Sequence, residues 1–104
     1  MEPIQVKGME VLDEKEKKVS EKLFGEYYTK LQRKIKNPLS LKIYVKEYNT
    51  EGKRKKYSLN VEAVSSGKAF KANSHEWDFA TAIHQVFTKI LTQVEHEFHV
   101  SDQH

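Results

Sequence analysis

Two stretches of the chain alternate apolar and polar residues with a period of two. Leu39, Leu41, Ile43 and Val45 interleave with Ser40, Lys42, Tyr44 and Lys46, and Tyr57, Leu59, Val61 and Ala63 interleave with Lys56, Ser58, Asn60 and Glu62. A strand sends successive side chains to opposite faces, so each stretch predicts a half-buried β-strand. Between them, Asn49-Thr50-Glu51-Gly52 followed by Lys53-Arg54-Lys55 reads as a hairpin loop. Residues 4–7 alternate in the same way ahead of Gly8, and residues 68–72, after the Ser65-Ser66-Gly67 turn, suffice for a short last strand with Phe70 inward.

Elsewhere the period changes to that of a helix. Val19, Leu23, Tyr27, Leu31 and Ile35 recur every four residues, with Phe24 and Tyr28 widening the stripe. Asp13, with Glu16 three residues on, supplies the N-cap and capping carboxylate, and Asn37-Pro38 ends a helix of roughly 22 residues. Asn73 and Glu76 repeat the cap pattern ahead of a second stripe, Trp77, Ala80, Ile83, Val86, Phe87, Ile90, Val94 and Phe98. Trp77 is expected as a core anchor at that helix's first turn. The order β-α-β-β-β-α, with one apolar stripe per helix, predicts an α+β two-layer sandwich: a four-stranded mixed sheet carrying both helices on one face. Residues 1–98 form one domain on this reading and 99–104 a polar tail.

Composition agrees with a single domain. At 104 residues the chain has room for one modest core, and 38% hydrophobic with 11% aromatic residues is enough to fold it without staples. There is no Cys, which removes disulfides, thiolate metal sites and thiol nucleophiles. No run of 18 apolar residues occurs and charges interrupt the first twenty positions, so the expectation is a soluble, cytoplasmic protein without membrane contact.

Charge is the uneven feature. Residues 30–56 hold ten cations and two acids, a local net of +8 against +3 for the whole chain. Such a concentration suits a polyanion, because Lys and Arg that neutralise phosphates release condensed counterions. It equally suits a solvated basic surface. The alternation sends Gln5, Lys7, Lys42, Tyr44, Lys46, Lys56, Ser58, Asn60, Glu62 and Lys71 to the face away from the helices, a surface with five Lys, one Tyr and one acid. Lysines that track phosphates and a ring that stacks on a base are the elements of a nucleic-acid face.

Catalytic chemistry finds little support. No glycine-flanked nucleophile and no Gly-rich phosphate loop is present, and Glu76 and Asp78 stand where a helix dipole favours acids. His96 and His99 have helical spacing for two metal ligands but lack a third and fourth, so no metal site or cofactor is expected.

The order of elements and short segments of both helices resemble the ribosome hibernation promoting factor family, also called ribosome-associated inhibitor A or sigma-54 modulation proteins. The resemblance runs from Ile4 to about Phe98 and rests on Lys30-Leu31 with Arg33, on Asp78 with Ala82-Ile83, and on Lys89-Ile90 with Gln93-Val94. The chain departs from the family at Ala80, where an aromatic is usual and Phe79 comes one position early, and at Thr92, Glu95, His96 and Glu97, where cations are usual. It resembles a short form lacking the C-terminal dimerisation domain. The resemblance implies a stress-response regulator that lodges in the mRNA and tRNA channel of the small ribosomal subunit and silences or protects idle ribosomes. It would act by occupancy, as a non-enzyme without cofactor or small-molecule substrate. The rRNA contacts expected are Lys22, Lys30, Arg33 and Lys34 of the first helix, and Lys42, Tyr44 and Lys46 of the second strand. Lys53, Arg54, Lys55 and Lys56 of the hairpin complete the set. The alternatives are a protein-interaction module of the same fold and a generic binder of structured RNA.

Overall fold

The computed structural model describes residues 3–49 and 55–102, with side chains at 3–48 and 55–97. Strand β1 (Ile4–Lys7) leads through a 3-10 turn at Met9–Val11 into helix α1 (Glu14–Lys34); strands β2 (Ser40–Asn49), β3 (Lys55–Ser65) and β4 (Lys68–Glu76) follow, and helix α2 (Phe79–Asp102) closes the chain. The sheet order is β1-β2-β3-β4, with β1 parallel to β2 and the other pairs antiparallel. Both helices pack on one face, giving the expected α+β two-layer sandwich. Among the described residues, no helix is long and apolar enough to cross a membrane.

The core follows the alternation. Leu41, Ile43 and Val45 of β2 and Leu59, Val61 and Ala63 of β3 are buried beneath Phe24 and Leu31 of α1, Ile35 at its C-cap, and Ile83, Val86, Phe87 and Ile90 of α2. On α1 the buried line runs Ser20, Phe24, Tyr27, Leu31, whereas Val19 and Leu23 are only half-buried. At 3.6 residues per turn a strict four-residue step drifts about 40° each time, so the early members of the sequence stripe slide to its margin.

The end of the sheet departs most from the sequence reading. Strand β4 runs to Glu76 rather than ending near residue 72, and α2 starts at Phe79. Asn73 is therefore a strand residue; the cap is Asp78, whose carboxylate accepts from the backbone N–H (2.9 Å) and hydroxyl (2.7 Å) of Thr81. Those two donors hold the Asp78 carboxyl below the usual range. Trp77 is outside the core at 40% exposure. The continuation is permitted by small inward residues: Ser74 is buried under α2 and its hydroxyl donates to the Ala82 carbonyl at 2.7 Å. At the other end, α2 continues past Phe98 to Asp102, so the expected tail is helical at 99–102.

Three local devices fix the arrangement. Ser66 and Gly67 both have positive φ, 50° and 78°, the backbone of a two-residue hairpin turn whose twist matches its strands. Gly8, at φ 93°, lies so close to β2 that a Cβ there would sit 2.0 Å from the Val45 carbonyl oxygen. Glu16 joins helix to sheet: one carboxylate oxygen accepts from the Asp13 backbone N–H at 3.1 Å, completing a capping box, and the other accepts from the Tyr57 hydroxyl of β3 at 2.5 Å.

Two consequences are measurable. Gly8→Ala should destabilise the fold by about 2–4 kcal/mol in denaturant titration, since left-handed strain of about 1–3 kcal/mol adds to the collision with β2; an unchanged midpoint would contradict the close approach. Tyr57→Phe should cost about 1–3 kcal/mol at pH 7 by removing a bond to a charged acceptor. Burial, then the Glu16 hydrogen bond, push the Tyr57 hydroxyl well above its ordinary value of 10.0. The stability it supplies is thus fully present below pH 10 and lost as pH rises above that, by up to about 1.4 kcal/mol per unit. The gap between parent and variant should therefore narrow between pH 10 and 11.

Candidate nucleic-acid interface

The face opposite the helices is built by the same two strands that build the core. Register places its side chains in rows: Gln5, Lys42, Glu62 and Lys71; then Lys7, Tyr44, Asn60 and Asn73; then Lys46, Ser58 and His75; and at the far end Tyr48 beside Lys56. Successive rows lie about 6.6–6.8 Å apart along the strands. Five Lys and one Glu give the face a net charge of +4, with Lys71 and Glu62 3.9 Å apart. Among the described residues no secondary-structure element packs over it.

The face is also aromatic. Tyr44, Tyr48 and Trp77 are the exposed large hydrophobics among the described residues, at 45%, 46% and 40% exposure. Lys7 holds its ammonium 5.6 Å from the Tyr44 ring centre, and Lys56 stands 5.6 Å from that of Trp77. A shallow depression of about 360 Å³ lies beside Tyr44, bordered by Lys42, Asn60, Glu62, Lys71 and Asn73.

The residues expected from sequence to bind RNA fall into separate groups. Lys42, Tyr44, Lys46 and Lys56 share the uncovered face. Lys22 and Arg33, exposed and three turns apart, occupy the solvent side of α1 on the helix layer. Lys30 and Lys34 border the seam between the helices. Lys30 stands 5.1 Å from the Tyr27 ring centre, and Lys34 pairs with Glu95 of α2 at 3.0 Å. Lys55 lies on the helix side of β3, 3.7 Å from Glu47. Lys53 and Arg54 lie outside the described residues. The described members of the set thus divide between a sheet face and a helix layer that point in different directions.

The seam itself is structural. Tyr27 stacks on Phe87 with ring centres 4.8 Å apart and planes 6° apart, and its hydroxyl lies 2.6 Å from His84 Nδ1. Burial, with Glu26 nearby, raises the Tyr27 hydroxyl above its ordinary value, so it remains protonated as a hydrogen-bonding group at neutral pH. On the outer edge of β4, Gln93 donates to the Lys71 carbonyl at 2.7 Å and Lys89 to that of Asn73 at 2.8 Å. Lys68 bonds Glu97, which is held below the usual carboxylate range by that contact. Among the described residues, no three acids or histidines come together as metal ligands.

Tyr48 joins the face because β2 runs on to Asn49. Asn73 and His75 join it, and Trp77 its end, beyond what the pattern indicated, because residues 73–77 read as the start of a helix. The signal for them is Phe70, Ala72 and Ser74 at alternate positions, with Asp78 three residues before Thr81.

No protein-family model matches the chain, and no curated protein matches it. Among solved structures it is similar to the N-terminal domain of Protein Y from Thermus thermophilus, with a TM-score of 0.60 and 20% identity over 89% of this chain and 92% of that one. The likeness establishes the fold. Protein Y belongs to the ribosome hibernation and sigma-54 modulation family that the sequence resembles.

The acidic end of α2 tempers the charge of its neighbours, and that is separable from folding. Replacing Glu95 and Glu97 together by Gln should leave Tm close to the parent's, as the loss of surface ion pairs does. It should raise the salt needed to elute the protein from phosphocellulose. Elution at the parental salt would show that these acids leave the basic surface untouched.

Proposed function

We propose that this protein is a ribosome-associated regulator of the hibernation factor family, which binds small-subunit rRNA in the channel used by mRNA and tRNA and so silences or protects idle ribosomes. It acts by occupancy, without catalysis, in the cytoplasm. The observation that carries this reading is the coincidence of a Protein Y-like fold with a sheet face of net charge +4. An rRNA channel is walled by phosphates, which such a face meets by counterion release, while the two-layer body fills space that mRNA or tRNA would take. A protein-interaction module of the same fold has one point in its favour: Glu95 and Glu97 pair with Lys34 and Lys68, so the end of α2 offers no strong cationic field.

Sucrose-gradient co-sedimentation with small subunits and whole ribosomes separates the two. The expected result is migration with the small subunit, displacement by excess tRNA, and weakening on the order of 100-fold between 50 and 200 mM salt if most of the five lysines meet phosphates. Reversing charge at Lys7, Lys42 and Lys46, all exposed and outside the core, should abolish association while circular dichroism and Tm stay close to the parent. Absence of the parent from ribosomal fractions at both salts would overturn the proposal, as would undiminished association of the folded triple variant.

A further inference from the structure

The distribution of aromatic residues is not explained by charge. Lysines alone track a phosphate backbone, whether paired or unpaired. Yet two of the three exposed large hydrophobics of the described chain, Tyr44 and Tyr48, stand on the uncovered sheet, and the third, Trp77, stands at its end, where it meets Lys56 and also borders the start of α1 at Lys15, Glu16 and Val19. Tyr44 and Tyr48 are four residues apart on β2 and therefore on one face, about 13 Å from each other. Trp77 lies just past the end of β4, within reach of Lys56, which is the cross-strand partner of Tyr48.

Folding gives no reason for turning Tyr44 and Tyr48 outward. Exposed rings on a strand promote edge pairing and aggregation, and Thr or Lys would serve the pleat without that liability. Stacking gives one. A base lying on an exposed ring contributes attraction that any of the four bases can supply, and a lysine beside the ring is placed to meet the phosphate of the same nucleotide. Lys7 and Lys56 hold their ammonium groups over the Tyr44 and Trp77 rings, each 5.6 Å from the ring centre, where a stacking base would move them aside toward its own phosphate. In the Tyr44 row, Asn60 and Asn73 follow across β3 and β4, putting one amide group next to the ring and a second about 10 Å away, both at the margin of the depression. Amides both donate and accept, the equipment needed at the edge of an unstacked base.

We propose that the uncovered sheet face binds an unpaired stretch of RNA, with bases stacked on Tyr44, Tyr48 and Trp77 and phosphates held by the lysines beside those rings. Duplex RNA does not meet this requirement: its bases are already stacked on one another, and its deep, narrow major groove excludes side chains on a flat sheet. The inference rests on the RNA-binding part of the reading above and adds which state of RNA is taken and by which side chains.

The single tryptophan reports directly on the event. The purified full chain is titrated with an unstructured 12-nucleotide RNA, with a 12-base-pair RNA duplex and with poly-glutamate, following Trp77 emission and, for the labelled RNAs, anisotropy. Quenching by the single strand, with affinity at least about tenfold above that for the duplex, is the expected result. Tyr44→Leu, Tyr48→Leu and Trp77→Leu should each weaken single-strand binding by about 5- to 150-fold, the range for removing one stacked base. Tyr44→Phe and Trp77→Phe, which keep a ring, should bind near the parent. Equal binding of single strand and duplex overturns the inference, as do Leu variants that bind like the parent and poly-glutamate competing as well as RNA. The ribosome gradient separates this failure from failure of the broader reading: Leu variants still bound to small subunits like the parent would leave ribosome association standing on charge alone. A protein that stacks the oligonucleotide but never enters ribosomal fractions would retain the inference and lose the ribosome.

Discussion

The period of two in β2 and β3 governs both faces of this molecule. Once Leu41, Ile43, Val45, Leu59 and Val61 are beneath the helices, Lys42, Tyr44, Lys46, Ser58 and Asn60 must point the other way. A slip of one residue would exchange the sets, placing lysines under α1 and α2 without partners at a cost of several kcal/mol each. Core and candidate interface are thus one constraint seen from two sides. The register that enforces it is held at each end of the sheet by backbone geometry: the left-handed pair Ser66 and Gly67 between β3 and β4, and Gly8 pressed against Val45 beyond β1.

The helix layer uses its polar groups differently from the sheet. Glu16 serves α1 twice, as capping carboxylate and as acceptor for Tyr57, so the start of the helix is anchored where β3 emerges. The seam between helices is closed by Tyr27, Phe87 and His84, and Lys34 answers Glu95 across it. Gln93 and Lys89 occupy carbonyls on the open edge of β4, at residues two apart on the strand and four apart on the helix; these spacings are about 6.7 Å and 6.0 Å and so nearly match. Such contacts cover an edge that would otherwise pair with another chain. With seven cations against four acids in α1 and one cation against three acids in α2, the helix layer is nearly balanced, and the positive field belongs mainly to the sheet.

How much of this was legible in the sequence depended on whether small residues stood inward. Where large apolar residues alternate, as in β2 and β3, the strands and their outward residues could be read directly. In 72–76 the inward positions include Ala72 and Ser74, too small to announce a strand, while Asn73 and Glu76 imitate a helix cap, so the pattern ends β4 early and places Trp77 in the core. Which lysines share a surface is hidden in the sequence for another reason. Lys30, Lys34, Lys42 and Lys46 are alike in sequence, but whether a lysine faces a polyanion or a glutamate is decided by which layer it joins and by what the other helix brings alongside. The pairing of Lys34 with Glu95 spans sixty-one positions and has no local signal.

The placement of rings among lysines bears on what kind of binding the sheet can sustain. A net charge of +4 spread over one face supplies affinity that falls steeply as salt rises, because its source is counterion release. Near physiological ionic strength the Debye length is about 8 Å, close to the spacing between rows, so each lysine acts on its own neighbourhood and the face does not behave as one large field. Stacking on Tyr44, Tyr48 or Trp77 does not depend on counterions and persists where the electrostatic share has faded. It also cannot act at a distance, since a ring attracts only what lies against it. Under the proposed reading the two are complementary in range: the lysines gather a phosphate chain and the rings retain the part of it whose bases are turned outward. A two-layer domain with one face sealed by helices is well suited to such an arrangement, because everything the ligand must find is on the other side.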